Sequence, residues 1–182
     1  MRTSILSVVS ALSLAFAAPY NPPTCGQRSS QVSDFTVKDF DFHASYIFTT
    51  PAHQNSWGYV NFTLTNSAVD YPVECSAASS QLNDFFYGTQ VYQCKVPNKA
   101  EAGPATFTFS RPSGDLMINQ TWYCPQEGSR YEAHGGTRLN LTCADKYEQN
   151  PDWKPGQIYS TRTVTCDHVT AQARITEISA VA

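Results

Sequence analysis

The sequence predicts an all-β protein, a single antiparallel β-barrel held together by disulfides. Three observations predict this fold class. Apolar and polar residues alternate with a period of two in many short segments, six cysteines are spread along the chain, and no segment sustains helical periodicity. Short strands separated by turns are typical of a barrel or a sandwich, and a barrel is favoured because its closure removes exposed sheet edges.

Residues 1–17 are predicted to be a secretory signal peptide. Arg2 precedes an apolar run that ends in Ala15-Phe16-Ala17, which matches the small-x-small pattern of a cleavage site. The run is shorter than the roughly 20 apolar residues of a membrane-spanning helix. We therefore expect residues 18–182 to be secreted and to fold as one extracellular β-barrel domain.

The first predicted strand covers residues 35–42. Its apolar positions change face between Val37 and Phe40, which indicates a β-bulge of the kind that bends barrel strands. Residues 59–65 continue the pattern, because every second residue is apolar and the intervening residues are polar. Shorter strands are predicted at 46–49 and 89–94, and a turn of helix near 79–83.

The next two strands, 105–110 and 116–124, are predicted to form a hairpin. The connection contains the Pro and Gly that turns favour. Placing Phe109 opposite Leu116 also places Phe107 opposite Ile118, so that four apolar side chains share one face. A shift by one residue would break this agreement, which fixes the register. Gln120 is the polar exception on that face.

The remaining chain is predicted to contain strands at 138–143, 158–166 and 173–181, with a long surface loop at 145–156. Trp153 lies in this loop between two prolines and is the candidate binding residue. An exposed Trp on a loop can stack on a sugar or anchor a protein partner. Alternatively, Trp153 folds back and covers the end of the barrel.

All six cysteines are predicted to form disulfides. None lies in a C-x-x-C pair of the kind that binds zinc, and the even number suits an oxidising compartment. Six cysteines allow several connectivities. Pairing of sequence neighbours suggests Cys75–Cys94 and Cys143–Cys166, which leaves Cys25 for Cys124.

Three N-glycosylation sequons lie in predicted strands, at Asn61, Asn119 and Asn140. The apolar alternation places these asparagines on outward faces, together with the threonines at 63, 121 and 142. We therefore expect accessible acceptor sites. The alternative is that they are ordinary outward polar residues that carry no glycan.

No catalytic residue, metal site or cofactor is predicted. The sequence has no G-x-S-x-G motif and no H-x-H or H-E-x-x-H motif, and the disulfides leave no free thiol. A pair of carboxylates such as Glu127 and Glu132 is possible, but surface acids are usually only solvated. Charged residues make up 15% of the chain and its net charge is −3, which disfavours nucleic acid and anionic membranes as partners.

Several segments resemble the Alternaria major allergen family of fungi. They are Trp57-Gly58-Tyr59-Val60-Asn61-Phe62, Cys75-Ser76-Ala77, Tyr92-Gln93-Cys94, Phe107-Thr108-Phe109 with Leu116, and Cys166 followed by Ala173-Arg174-Ile175-Thr176. The resemblance covers most of the chain after residue 17. It implies a fungal source, secretion, a single β-barrel, and a role outside the cell as an allergen, effector or elicitor. It implies no catalytic residues.

Two features depart from the family pattern. Cys124 is additional and offers Cys25 a partner within the chain, so we expect a monomer rather than a cysteine-linked dimer. The loop at 145–156 is longer than in the family. We expect a non-enzymatic protein that binds a host extracellular protein or a cell-wall component. The alternatives are a small secreted enzyme acting on polysaccharide or RNA, and a carrier of a small apolar ligand inside the barrel.

Overall fold

The computed structural model describes residues 21–182, and the predicted signal peptide lies outside them. The described chain is almost entirely antiparallel β-structure, which confirms the predicted fold class. Its elements are α1 (Cys25–Gln31), β1 (Asp34–Thr50), β2 (His53–Asn66), β3 (Val73–Ser79), β4 (Tyr92–Gln93), β5 (Ala102–Phe109), β6 (Asp115–Cys124), β7 (Ser129–Arg138), β8 (Cys143–Gln149), β9 (Ser160–Cys166) and β10 (Val169–Val181).

The strands form a nearly closed barrel in the order β3-β2-β1-β10-β7-β6-β5-β4. The two ends of this order meet where Glu74 of β3 and Lys95 exchange backbone hydrogen bonds of 3.1 and 2.7 Å. The Cys75–Cys94 disulfide lies beside this contact. The seam of the barrel is therefore closed by one short bridge and one covalent bond.

The hairpin of β8 and β9 lies off this path. The first part of β1, residues 34–40, pairs with β10, whereas residues 43–48 pair with β9. The predicted bulge is confirmed, because the register of β1 shifts between Val37 and Phe40, and Asp39 there has a φ of 52°. The bulge separates the part of β1 that belongs to the barrel from the part that carries the hairpin.

Aromatic side chains fill the barrel. Phe40 lies 5.6 Å from Phe62 and 5.0 Å from Phe109 between ring centres, and Phe107 lies 5.0 Å from Phe62. The predicted hairpin register is confirmed, since Phe107 pairs with Ile118, and Phe109 with Leu116. These edge-to-face and stacked contacts add to the burial of the rings themselves.

The polar exception in β6 is satisfied within the core. Gln120 is 1% exposed, and its Oε1 accepts a 2.8 Å hydrogen bond from Asn66 Nδ2. Asn66 Oδ1 in turn accepts a 2.8 Å bond from the backbone N–H of Ala68. A buried amide is tolerated at this position because its carbonyl oxygen has a hydrogen-bond partner.

Three disulfides join Cys25 to Cys124, Cys75 to Cys94, and Cys143 to Cys166, the pairing suggested by the sequence. The first joins α1 to the end of β6. The third joins directly opposed residues at the base of the β8–β9 hairpin. The three disulfides thus attach α1 to the barrel, close the seam of the barrel, and join the two strands of the β8–β9 hairpin.

Several predicted strand boundaries are wrong. The strands predicted at 35–42 and 46–49 are one strand, because inward residues continue through Ala44 and Tyr46. The strand predicted at 89–94 is limited to β4. The strand predicted at 138–143 is absent. β7 ends at Arg138, and the following residues, including the buried Leu139, connect β7 to β8.

Four elements were not predicted from the sequence: α1, β3, β7 and β8. The first part of the loop predicted at 145–156 is strand β8, which is exposed along its whole length and so shows no apolar alternation. The helix α1 has only seven residues, too few for helical periodicity. A capping box between Thr24 and Gln27 starts this helix. The segment near 79–83, predicted as a helical turn, contains the end of β3 at Ser79 and the start of a non-helical turn.

Candidate functional site

The β8–β9 hairpin extends the sheet of β1 and β2 beyond the barrel. Arg162 of β9 pairs with Tyr46 of β1 on one side and with Tyr147 of β8 on the other. Residues directly opposite each other point to the same face of a sheet. Tyr46 is buried, Arg162 is half-buried and Tyr147 is 57% exposed. We call this row, with Asp84 and Arg111 beside it, the hairpin face.

The hairpin face contains an open cavity of about 300 Å³. Residues from five separate parts of the chain surround it, and most of them are polar. They are Tyr46, Phe48, Gln54, Asn83, Asp84, Arg111 and Arg162.

Arg111 is fixed on one wall of the cavity. Its Nη1 donates to the hydroxyl of Tyr46 and to Asp84 Oδ1, both at 3.3 Å. Its guanidinium carbon lies 4.7 Å from the centre of the Phe42 ring, within the range of a cation–π contact. The Tyr46 hydroxyl donates to the backbone carbonyl of Asn83. The phenol and the guanidinium therefore hold each other in place.

Arg162 also lines the cavity and is fixed in place. Its Nε lies 2.9 Å from both carboxylate oxygens of Asp145, and its guanidinium carbon lies 5.0 Å from the centre of the Tyr46 ring. The hydrogen bonds from Arg162 lower the pKa of Asp145, and the same hydrogen bonds raise the pKa of Arg162. Both groups are thus charged at neutral pH.

The backbone beside the cavity is strained. Asn83 and Phe85, which flank Asp84, have φ angles of 74° and 65°. A left-handed conformation is uncommon for a bulky residue and costs on the order of 1–3 kcal/mol. Phe85 is held there by packing, because its ring lies 4.9 Å from that of Tyr46 and fills the space where Gly58 has no side chain.

Trp153, the binding residue predicted from the sequence, lies in the loop that joins β8 to β9. Its Nε1 donates a 2.9 Å hydrogen bond to the carbonyl oxygen of Gln157, and its ring meets the edge of Tyr159 at 5.8 Å. The side chain is half-buried within its own loop and does not line the cavity. Its role in binding stays a prediction.

The three predicted glycosylation sites differ in their surroundings. Asn61 and Asn140 are exposed, whereas Asn119 is half-buried and contacts Glu132 at 3.4 Å. Thr121 alternates with the buried Gln120 and Trp122 but is itself only 4% exposed, so the expectation of an accessible acceptor site is not met at its hydroxyl. Gly103, in the irregular part of β5, packs closely over Thr121. Glycan occupancy stays a prediction at each site.

Within residues 21–182, no group of three or more His, Cys, Asp or Glu side chains is arranged to hold a metal ion. No helix in the same range is long and apolar enough to cross a membrane. Glu127 and Glu132 have separate partners: Glu127 accepts a 3.1 Å hydrogen bond from the backbone of Gly26, and Glu132 pairs with Arg130 at 2.8 Å.

A second, larger cleft of about 660 Å³ lies between α1 and the turns next to it. Tyr71 lines this cleft and is 4% exposed. Its hydroxyl donates a 3.1 Å hydrogen bond to the carbonyl oxygen of Glu101. The charged form of a buried phenol lacks hydration, and burial raises the pKa of Tyr71 to about 12.

We expect Tyr71 to titrate well above the ordinary pKa of a tyrosine. Because its folded-state pKa is raised from 10.0 to about 12, the neutral phenol contributes stability below pH 10, and this contribution is lost as the pH rises through 12. Ultraviolet titration of the protein and of Tyr71→Phe measures the effect. The variant should lose one late-titrating phenol and show a shallower loss of stability above pH 10. Identical titration curves from pH 10 to 12 would contradict the assignment.

Comparison with known proteins gives one match. The family model described as Alternaria alternata allergen 1 matches residues 37–166, from β1 to the end of β9. No curated protein and no solved structure matches the chain. The matched span includes all residues of the hairpin face.

Proposed function

The chain belongs to the Alternaria alternata allergen 1 family, and from this we propose that it is a secreted binding protein that recognises its partner through the hairpin face. Membership of the family makes it an allergen-like protein, and the family is not a known enzyme family. The proposed partner is a host extracellular protein or a cell-wall component. The proposed mechanism is recognition without catalysis.

The proposal places the protein outside a fungal cell, where it acts on a host as an effector. The signal-like sequence at 1–17 supports export, and three disulfides are typical of proteins from oxidising compartments. The resemblance of the sequence to a fungal family supports the source. Glycosylation at Asn61 or Asn140 would be compatible with export, since both side chains are exposed.

The proposal rests on one observation: the β8–β9 hairpin carries a sheet face that lies outside the barrel, and a disulfide joins its two strands. The Cys143–Cys166 bridge fixes the base of the hairpin. Tyr147 is 57% exposed on this face, and Ile158 in the connecting loop is 51% exposed. Exposed aromatic side chains on a rigid support, next to charged groups, are typical of recognition surfaces.

We expect Tyr147→Ser to weaken capture of the partner by about tenfold or more, as loss of an aromatic anchor does. The measurement is binding of the purified protein to isolated cell-wall polysaccharides and to extracellular-fluid proteins on a sensor surface. Trp153→Ala tests the loop separately.

Tyr123→Ser is the matched control, because Tyr123 is also exposed but lies on β6 of the barrel. Equal binding by the wild type, Tyr147→Ser and Trp153→Ala would contradict recognition through this face. Turnover of a polysaccharide or RNA that a single acid-to-amide substitution abolishes would favour the enzyme alternative instead.

A further inference from the structure

We infer that the cavity on the hairpin face is a binding site for a small hydroxylated carboxylate, such as a sugar acid, with its carboxylate between Arg111 and Arg162. The inference deepens the proposed function and rests on it, since it names the chemistry recognised on the same face. The cavity of about 300 Å³ lies at the lower end of the size range of small-molecule sites, which suits one monosaccharide unit.

The hydrogen-bond donors of the lining favour a carboxylate. Arg111 pairs with Asp84 and Arg162 with Asp145, so the charges at the cavity balance and a ligand carboxylate would bind to the guanidinium N–H groups that these pairs leave free. Within residues 21–182, Asp145 engages Nε and Nη2 of Arg162, and Arg111 uses only Nη1 for side-chain hydrogen bonds. The other N–H groups remain available. A guanidinium fork matches a carboxylate in a bidentate geometry that an ammonium does not provide.

Acceptors for ligand hydroxyl groups lie in the same cavity. One oxygen of Asp84 binds Arg111, and the other makes no hydrogen bond in the described part of the chain. Gln54 donates its Nε2 to Ser56 at 2.7 Å, which leaves its Oε1 as an acceptor. The ring of Phe48 adds an apolar surface. Donors for a carboxylate beside acceptors for hydroxyl groups indicate a ligand that carries both.

The site is held in place without a ligand. Arg111 stacks on Phe42 and Arg162 on Tyr46, so that both cations are positioned by rings. The strained turn that carries Asp84 is fixed by the buried Phe85. Backbone strain of this kind is concentrated at functional sites, and a preorganised site loses less entropy when it binds.

The test is calorimetric titration of the purified secreted protein with three probes. Galacturonate carries both features, galactose has the hydroxyl groups without the carboxylate, and acetate has the carboxylate without the hydroxyl groups. We expect saturable binding of galacturonate, and at least tenfold weaker binding of galactose and of acetate.

Arg162→Gln is expected to weaken galacturonate binding at least tenfold. Arg162→Lys keeps the charge without the planar fork and should retain only part of the wild-type affinity. Arg130→Gln is the matched control, because Arg130 also forms an ion pair, with Glu132, but lies on β7 outside the cavity. Thermal unfolding of each variant checks that the fold is intact.

Two results would overturn the inference: no saturable galacturonate binding at millimolar concentration, or equal binding by Arg162→Gln and the wild type. Its failure is distinguishable from that of the proposed function. Capture of a macromolecule that depends on Tyr147, without galacturonate binding, would reject only this inference. Galacturonate binding without any macromolecular capture would instead reject the proposed function.

Discussion

Removal of the Cys25–Cys124 disulfide, as C25A/C124A, is expected to lower the free energy of unfolding by about 4.7 kcal/mol. This bridge spans a sequence separation of 99, whereas the other two span 19 and 23. In the chain-entropy model the cost grows with the length of the closed loop, and loops of the shorter length give about 3.4 kcal/mol. Urea unfolding of C25A/C124A, C75A/C94A and C143A/C166A measures the free energy that each bridge contributes.

The comparison between bridges serves as the control, because each variant removes the same chemical bond. C143A/C166A and C75A/C94A are expected to cost about the same, since the loops that their bridges close are of similar length. If C25A/C124A costs no more than the other two, loop entropy does not govern the stability of this barrel.

The sequence predicted the strands in which large apolar side chains alternate toward a shared interior, but not β3 and β7, whose buried positions are mostly small residues such as Cys75, Ala133 and Gly135. Phe107 and Phe109 could be paired with their partners across a hairpin because only one register buries them all. The bulge in β1 could be predicted because the apolar residues change from odd to even positions between Val37 and Phe40. β8 gave no such signal, since neither of its faces is covered and a wholly exposed strand does not select apolar residues.

The residues around the cavity could not be found in the same way. Asp84, Arg111 and Arg162 lie far apart in the sequence, and only the pairing of β9 with β1 and the turn before β4 bring them together. No local motif links an arginine in a turn with one in a strand. Trp153 stood out in the sequence because of its flanking prolines, yet its contacts are with its own loop.

The second large effect is expected at Trp122, where substitution by Ala should cost about 3–5 kcal/mol, as loss of a buried aromatic ring does. Trp122 is fully buried on β6 and stacks on Tyr131 at 5.9 Å between ring centres. Its Nε1 donates a 2.8 Å hydrogen bond to Ser29 of α1, whose hydroxyl donates to the carbonyl oxygen of Cys25. The indole therefore packs in the core and also binds the helix α1 through its N–H group.

A double-mutant cycle separates these two roles. Trp122→Phe keeps most of the buried ring but removes the donor, and Ser29→Ala removes the acceptor, so the two substitutions should be non-additive. A coupling of about 0.5–1.5 kcal/mol, the worth of a typical hydrogen bond, is expected between them. Because the same helix carries Cys25, the coupling should change when C25A/C124A frees the helix. Strict additivity in both backgrounds, measured by urea unfolding, would show that Trp122 stabilises the barrel by packing alone.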